Sequence, residues 1–118
     1  MMFFGSKCSV FPFHYEDMDL FSININLEGK AKIWNIVRRK YHEIVDTISF
    51  SNQTVIENKC PLPKYCLINP SIFDKFGVKH YIIIQKEGMA VVTFSKVGHQ
   101  GINVGYNVAE AVNFCLDS

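Results

Sequence analysis

The chain has 118 residues, 48% of them hydrophobic and 14% aromatic, enough for one modest core and too few for two. Twelve Lys and Arg against eleven Asp and Glu leave a net charge of +1, which provides no bulk attraction to nucleic acid or anionic lipid. The opening MMFFGSKCSVF is too short and too interrupted for a secretory signal, no apolar run approaches the roughly 18 to 20 residues that span a bilayer, and the four cysteines form no CxxC pair, so a single soluble intracellular domain over 1–118 with reduced thiols is expected.

In chain order, the first stretch of interest is FPFHYEDMDLFSIN, residues 11–24. If it is extended, His14 and Glu16 project to the same side, because side chains two apart share a face of a strand. A His-x-acid pair turns up by chance in roughly one chain in three of ordinary composition, so alone it reads as the charged rim of a strand. From Leu20 to Leu27 the alternation is clean: Phe21, Ile23, Ile25 and Leu27 on one face, Ser22, Asn24 and Asn26 on the other. Glu28-Gly29-Lys30 reads as a turn and Lys32 to Val37, with Trp34 as apolar anchor, as a returning strand, together predicting a hairpin. Between Arg38 and Ile48, Tyr41, Ile44, Val45 and Ile48 recur at the spacing of one buried helical stripe. Ser51 to Tyr65, with Asn52, Asn58, Pro61 and Pro63, reads as loop. Pro70-Ser71 before IFDKF and Gly77 predicts a short helix with proline at its start and glycine at its end. Strands resume at 80–84 and 89–94, joined by Lys86-Glu87-Gly88, and the closing GHQGINVGYNVAEAVNF opens with glycine-rich turns and ends in a strand-like AEAVNF.

Strands joined by turns with helical excursions between them describe an all-β barrel with inserted helices, a fold that places ligands in its mouth. A third ligand changes the weight of the His14/Glu16 pair, because a non-haem Fe(II) centre uses two imidazoles and one carboxylate on one face with the remaining positions open. His42 lies in the helical stretch and His80 at a strand edge, where surface or core roles fit better. His99 follows a β-run and is flanked by Gly98 and Gly101, which allow backbone to approach an ion or cosubstrate closely.

HYEDMDLFSIN, then GKAKIW, then GINVGYNVAEAVNF, in that order and at those separations, resemble the successive signature segments of the JmjC-domain oxygenases, in the branch that contains the histone lysine demethylases. The resemblance runs from about Phe4 to about Cys115. It implies the double-stranded β-helix of the cupin, or jelly-roll, class. The strand that carries an upstream cosubstrate tyrosine in these enzymes would precede Met1, so a barrel lacking its first strand is expected. The implied activity is oxidation of an N-methyl group with Fe(II), O2 and 2-oxoglutarate, releasing formaldehyde. On this resemblance His14, Glu16 and His99 are the metal ligands, His-x-Glu being the demethylase form of a motif that is His-x-Asp in many relatives. Lys32 takes the distal carboxylate of 2-oxoglutarate, a role that suits a buried lysine in need of a counter-ion. Asn24 and Ser22 hydrogen-bond the cosubstrate and Phe11 walls its pocket, while Phe3, Gly5, Ala111 and Asn113 fall where substrate is bound.

The partner so implied is a methyl-lysine histone tail, and the compartment the nucleus. Two function classes stay open: an active JmjC oxygenase, demethylase or protein hydroxylase, and a catalytically weak or inactive JmjC remnant serving as a chromatin scaffold. Cys60 and Cys66 fall where one branch places two ligands of a structural zinc, whose other ligands lie past the end of this chain, so zinc is not expected. Arg38-Arg39-Lys40 reads as a solvated helical face rather than a localisation signal. Asp17 and Asp19 read either as attraction for a basic tail or as caps of the turn after His14.

Overall fold

The computed structural model describes residues 1–16, 20–48 and 67–115. Among the described residues the alternating stretches form eight strands: β1 (Met2–Gly5), β2 (Val10–His14), β3 (Phe21–Gly29), β4 (Lys32–Val37), β5 (His80–Gln85), β6 (Ala90–Thr93), β7 (Gly98–Asn103) and β8 (Asn107–Phe114). All pairings are antiparallel, in two four-stranded sheets of order β1-β8-β3-β6 and β2-β7-β4-β5. Two face-to-face antiparallel sheets of this kind are the jelly-roll arrangement expected from the sequence. Within the chain, β1 occupies the edge of the first sheet beside β8.

The predicted hairpin is not formed. β3 and β4 lie in different sheets, and both edges of β3 are already taken, by β6 and β8. The register of β3 slips between Asn26 and Glu28, Gly29 adopts φ 106°, and the Lys30 N–H bonds to the Tyr106 carbonyl at 2.9 Å. The turn therefore carries the chain from one sheet to the other. A turn signal marks a reversal of direction but does not say whether the flanking strands pair.

The 38–48 stretch starts later than its stripe suggests: Arg38 is extended, Arg39–Tyr41 is a 3-10 turn, and helix α1 covers 42–48. Val45 and Ile48 are buried and Tyr41 packs beside them, whereas Ile44, at the flank of the stripe, is 43% exposed. The short helix α2 (Pro70–Lys75) forms as predicted. Asn69 accepts a hydrogen bond from the Ser71 N–H at 3.0 Å, Pro70 needs no partner in the first turn, and Gly77 closes the helix at φ 71°.

The main apolar core lies outside the sandwich. Val37, Val45, Ile48, Ile68, Phe73 and Val78 cluster where α1 and α2 cover the outer face of the β4-containing sheet. Between the sheets the exposed-and-buried logic of β3 is reversed: Ser22 and Asn26 are buried, while Ile23, Val92 and Val112 form an outward apolar face, the latter two 45% and 50% exposed. Phe21 packs on this side between Phe94 and Phe114. Among the described residues no helix is long and apolar enough to cross a membrane.

Candidate metal and cosubstrate site

Period-two alternation sets what faces the gap between the sheets. Phe3 and Gly5 come from β1, Ser22 and Asn24 from β3, Ala111 and Asn113 from β8, and Lys32 from β4. With Phe11, His14, Glu16 and His99 they line one cavity of about 610 Å³. All eleven residues singled out from the sequence thus meet around a single space. His42 and His80 stand elsewhere, the first paired with Asp46 at 3.3 Å and the second with Asp74 at 2.9 Å. Asp17, Asp19, Cys60, Cys66 and the predicted loop lie outside the described residues.

Phe11 and His14 are three apart, which a regular strand would send to opposite faces. A register shift between them, opposite β7, brings both to the cavity. The Phe11 ring crosses β7 over Gly101, where any Cβ would overlap it and the Ile33 carbonyl oxygen. Phe11 meets Trp34 edge-on at 4.8 Å, and Trp34 packs within 5.7 Å of the His99 ring.

The ligand atoms of His14, Glu16 and His99 all lie within 4.8 Å of one another. His99 Nε2 is 3.1 Å from Glu16 Oε1, and His14 Nε2 is 3.7 Å from it. Both imidazoles donate Nδ1–H to backbone carbonyls, His14 to Pro12 at 2.7 Å and His99 to Val97 at 3.1 Å. This fixes the rings so that both Nε2 atoms point at the carboxylate, the orientation that metal-bound histidines require. The hydrogen bond from His99, the charges of His99 and His14, and the Asn113 side chain together hold the Glu16 carboxyl below its ordinary value despite burial. Two imidazoles and one carboxylate, converging from the end of β2 and from β7, suit Fe(II) and leave the cavity side open for other ligands.

Lys32 is 6% exposed. Its ammonium donates to Asn103 Oδ1 at 2.8 Å and lies 5.8 Å from the Phe11 ring. No carboxylate among the described residues pairs with it, and burial lowers its pKa. A buried cation held only by a neutral amide is costly, and a bound carboxylate would supply the missing charge. Asn103 is itself braced by the Asn107 amide at 2.9 Å and by Ser9, to whose hydroxyl it donates at 2.8 Å. Ser22 shares a short hydroxyl contact with Thr93 on β6.

Sequence reasoning missed Asn103, Ser9 and Gln85. Asn103 was within reach, since it follows His99 and Gly101 at the same two-residue spacing. Ser9 and Gln85 act from a turn and from the far end of a strand, where one chain's periodicity does not say which side chains they meet.

A double-stranded β-helix with two imidazoles and a carboxylate on its inner wall defines the class of cupin oxygenases. Within that class the chain belongs to the JmjC family, whose model, described as "JmjC domain, hydroxylase", matches residues 1–114. It is similar to human probable lysine-specific demethylase 4F, 33% identical over 96% of this chain and 18% of that protein. Mouse lysine-specific demethylase 4B is 32% identical over 96% of the chain and 11% of its own length, and rat lysine-specific demethylase 4D 33% identical over 96% and 23%. The chain thus spans less than a quarter of these curated relatives.

Proposed function

We propose that this chain is the metal- and cosubstrate-binding core of an Fe(II)- and 2-oxoglutarate-dependent oxygenase that demethylates N-methyl-lysine in histone tails in the nucleus. The observation that carries this reading is the convergence of the His14, Glu16 and His99 ligand atoms with the buried Lys32 ammonium in one cavity. His14 Nε2, Glu16 Oε1 and His99 Nε2 would hold the metal. Lys32 would neutralise the distal carboxylate of 2-oxoglutarate, with Ser22 and Asn24 hydrogen-bonding it and Phe11 closing one wall. With metal, cosubstrate and O2 bound, the centre supplies oxidative decarboxylation of 2-oxoglutarate coupled to hydroxylation of the N-methyl group, which leaves as formaldehyde. Phe3, Gly5, Ala111 and Asn113, on the inner faces of β1 and β8, would receive the methylated side chain. The Asn113 side chain also reaches Glu16, which links the substrate wall to a metal ligand. The names of the lysine-specific demethylases support a methylated lysine as the group acted on.

Anaerobic addition of Fe(II) and 2-oxoglutarate tests the site. A weak visible charge-transfer band should appear and be absent in His99→Ala; folded protein without the band would refute the enzyme reading and favour a scaffold. Formaldehyde release from methylated histone peptides then tests the demethylase assignment, and succinate formation without formaldehyde would point to hydroxylation of another side chain.

A further inference from the structure

Gln85, at the end of β5, is wholly buried and stands opposite Lys32 in the ladder. Its carboxamide reaches across the gap between the sheets. Oε1 accepts from the Trp34 indole N–H at 2.8 Å. Nε2 donates to the Asn24 carbonyl at 2.9 Å, to Asn24 Oδ1 at 3.1 Å and to the Met89 carbonyl at 2.9 Å, two hydrogens shared among three acceptors. Asn24 and Trp34 both line the cavity, and Gln85 does not.

The roles in this cluster are forced. An indole nitrogen can only donate and a backbone carbonyl can only accept, so the oxygen of Gln85 must face Trp34 and its nitrogen must face Asn24 and Met89. Asn24 can then offer Gln85 only its oxygen. Its Nδ2 is left as a donor for the cavity. A fully buried amide also carries a desolvation cost that an aliphatic side chain of similar volume would avoid, so what the amide contributes is geometry.

The geometry points to Gln85 as a positioning residue for two walls of the cavity: it turns the Asn24 amide so that its NH2 end meets the cosubstrate, and it holds the Trp34 indole against Phe11 and His99. The assignment rests on reading the cavity as the 2-oxoglutarate site. Gln85 touches neither metal nor cosubstrate and acts through Asn24 and Trp34.

Trp34 is the only tryptophan, so a 15N-labelled sample has one indole N–H resonance, a direct reporter of the contact. In Gln85→Met that resonance should move upfield. The affinity of the Co(II)-loaded protein for 2-oxoglutarate should fall about 10- to 100-fold, while affinity for Co(II) itself stays within about twofold. If wild-type protein binds Co(II) but not 2-oxoglutarate, the cosubstrate reading fails. If it binds both and Gln85→Met binds both equally well, or loses both in parallel, the positioning role fails and the cosubstrate reading stands. Should Gln85→Met not fold, wild-type protein decides: adding 2-oxoglutarate to the Zn(II)-loaded form should shift the Asn24 side-chain NH2 resonances and leave those of Gln85 in place. Unmoved Asn24 resonances on a cosubstrate-saturated sample would overturn the proposal.

Discussion

Replacing Lys32 with methionine should move stability and cosubstrate affinity in opposite directions. The lysine is 6% exposed, its one described hydrogen bond is to Asn103, and burial already lowers its pKa. Methionine has a similar unbranched length and fits among Phe11 and Trp34. The substitution removes a charge-assisted hydrogen bond of about 1.5 to 3 kcal/mol but also the several kcal/mol of desolvation that an uncompensated buried ion carries. Asn103 Oδ1 keeps its donor from Asn107 at 2.9 Å, so no acceptor is orphaned. The balance predicts a gain of about 1 kcal/mol without cosubstrate, seen as a melting temperature higher by about 4 °C. For 2-oxoglutarate the same change removes the counter-charge of a buried carboxylate, a loss of about 2 to 5 kcal/mol, or on the order of 30- to 5,000-fold in Kd. Thermal melts with and without 2-oxoglutarate on Mn(II)-loaded protein, together with calorimetric titration, read both effects. A Lys32→Met protein that melts well below wild type, or that binds 2-oxoglutarate as tightly, would show that the lysine is satisfied within the fold and is not waiting for an anion.

The pH dependence of cosubstrate binding follows from the same residue. Because burial lowers the pKa of Lys32, its proton should be lost below the ordinary lysine value of 10.5. Affinity for 2-oxoglutarate should be fully present at neutral pH and fall as pH rises through that lowered value, whereas stability without cosubstrate should rise over the interval between the folded and unfolded pKa values, where the unfolded chain binds more protons; titration calorimetry and denaturation across alkaline pH check both. Gly101→Ala should destabilise by about 1 to 3 kcal/mol, since its methyl would overlap the Phe11 ring and the Ile33 carbonyl; urea denaturation measures it, and a neutral result would mean that Phe11 does not cross β7 there. Phe73→Ala, which empties a fully buried site in the outer core, should cost about 3 to 5 kcal/mol yet leave Co(II) affinity of the folded fraction within about twofold, as measured by Co(II) titration.

How far the sequence carried this depended on whether a property is local. The short helix was legible because Asn69, Pro70 and Gly77 each satisfy a local backbone requirement. The inward polar face of β3 was legible because Ser22, Asn24 and Asn26 share a face whatever the strand pairs with. The hairpin was misread because pairing is decided by β6 and β8, the first of them more than sixty residues further along the chain. Ile44 looked as buried as Val45 because periodicity gives the direction of a stripe and not its width. The grouping of His14 and Glu16 with His99 came from the family's signature segments, since spacing within one chain does not reveal that β2 and β7 are neighbours. Gln85 left no local mark, because its contacts come from two strands and a turn that meet around it.

The placement of the main apolar core outside the sandwich has an evolutionary consequence. The side chains that hold the fold together, Phe73, Val45 and Val37 among them, lie on the opposite side of the central strands from the cavity. Selection on chemistry and selection on foldability therefore act on largely separate residues. Cavity positions such as Phe3 and Ala111 can be sampled by mutation with little loss of foldability, so the lining of the cavity can change while the same barrel persists.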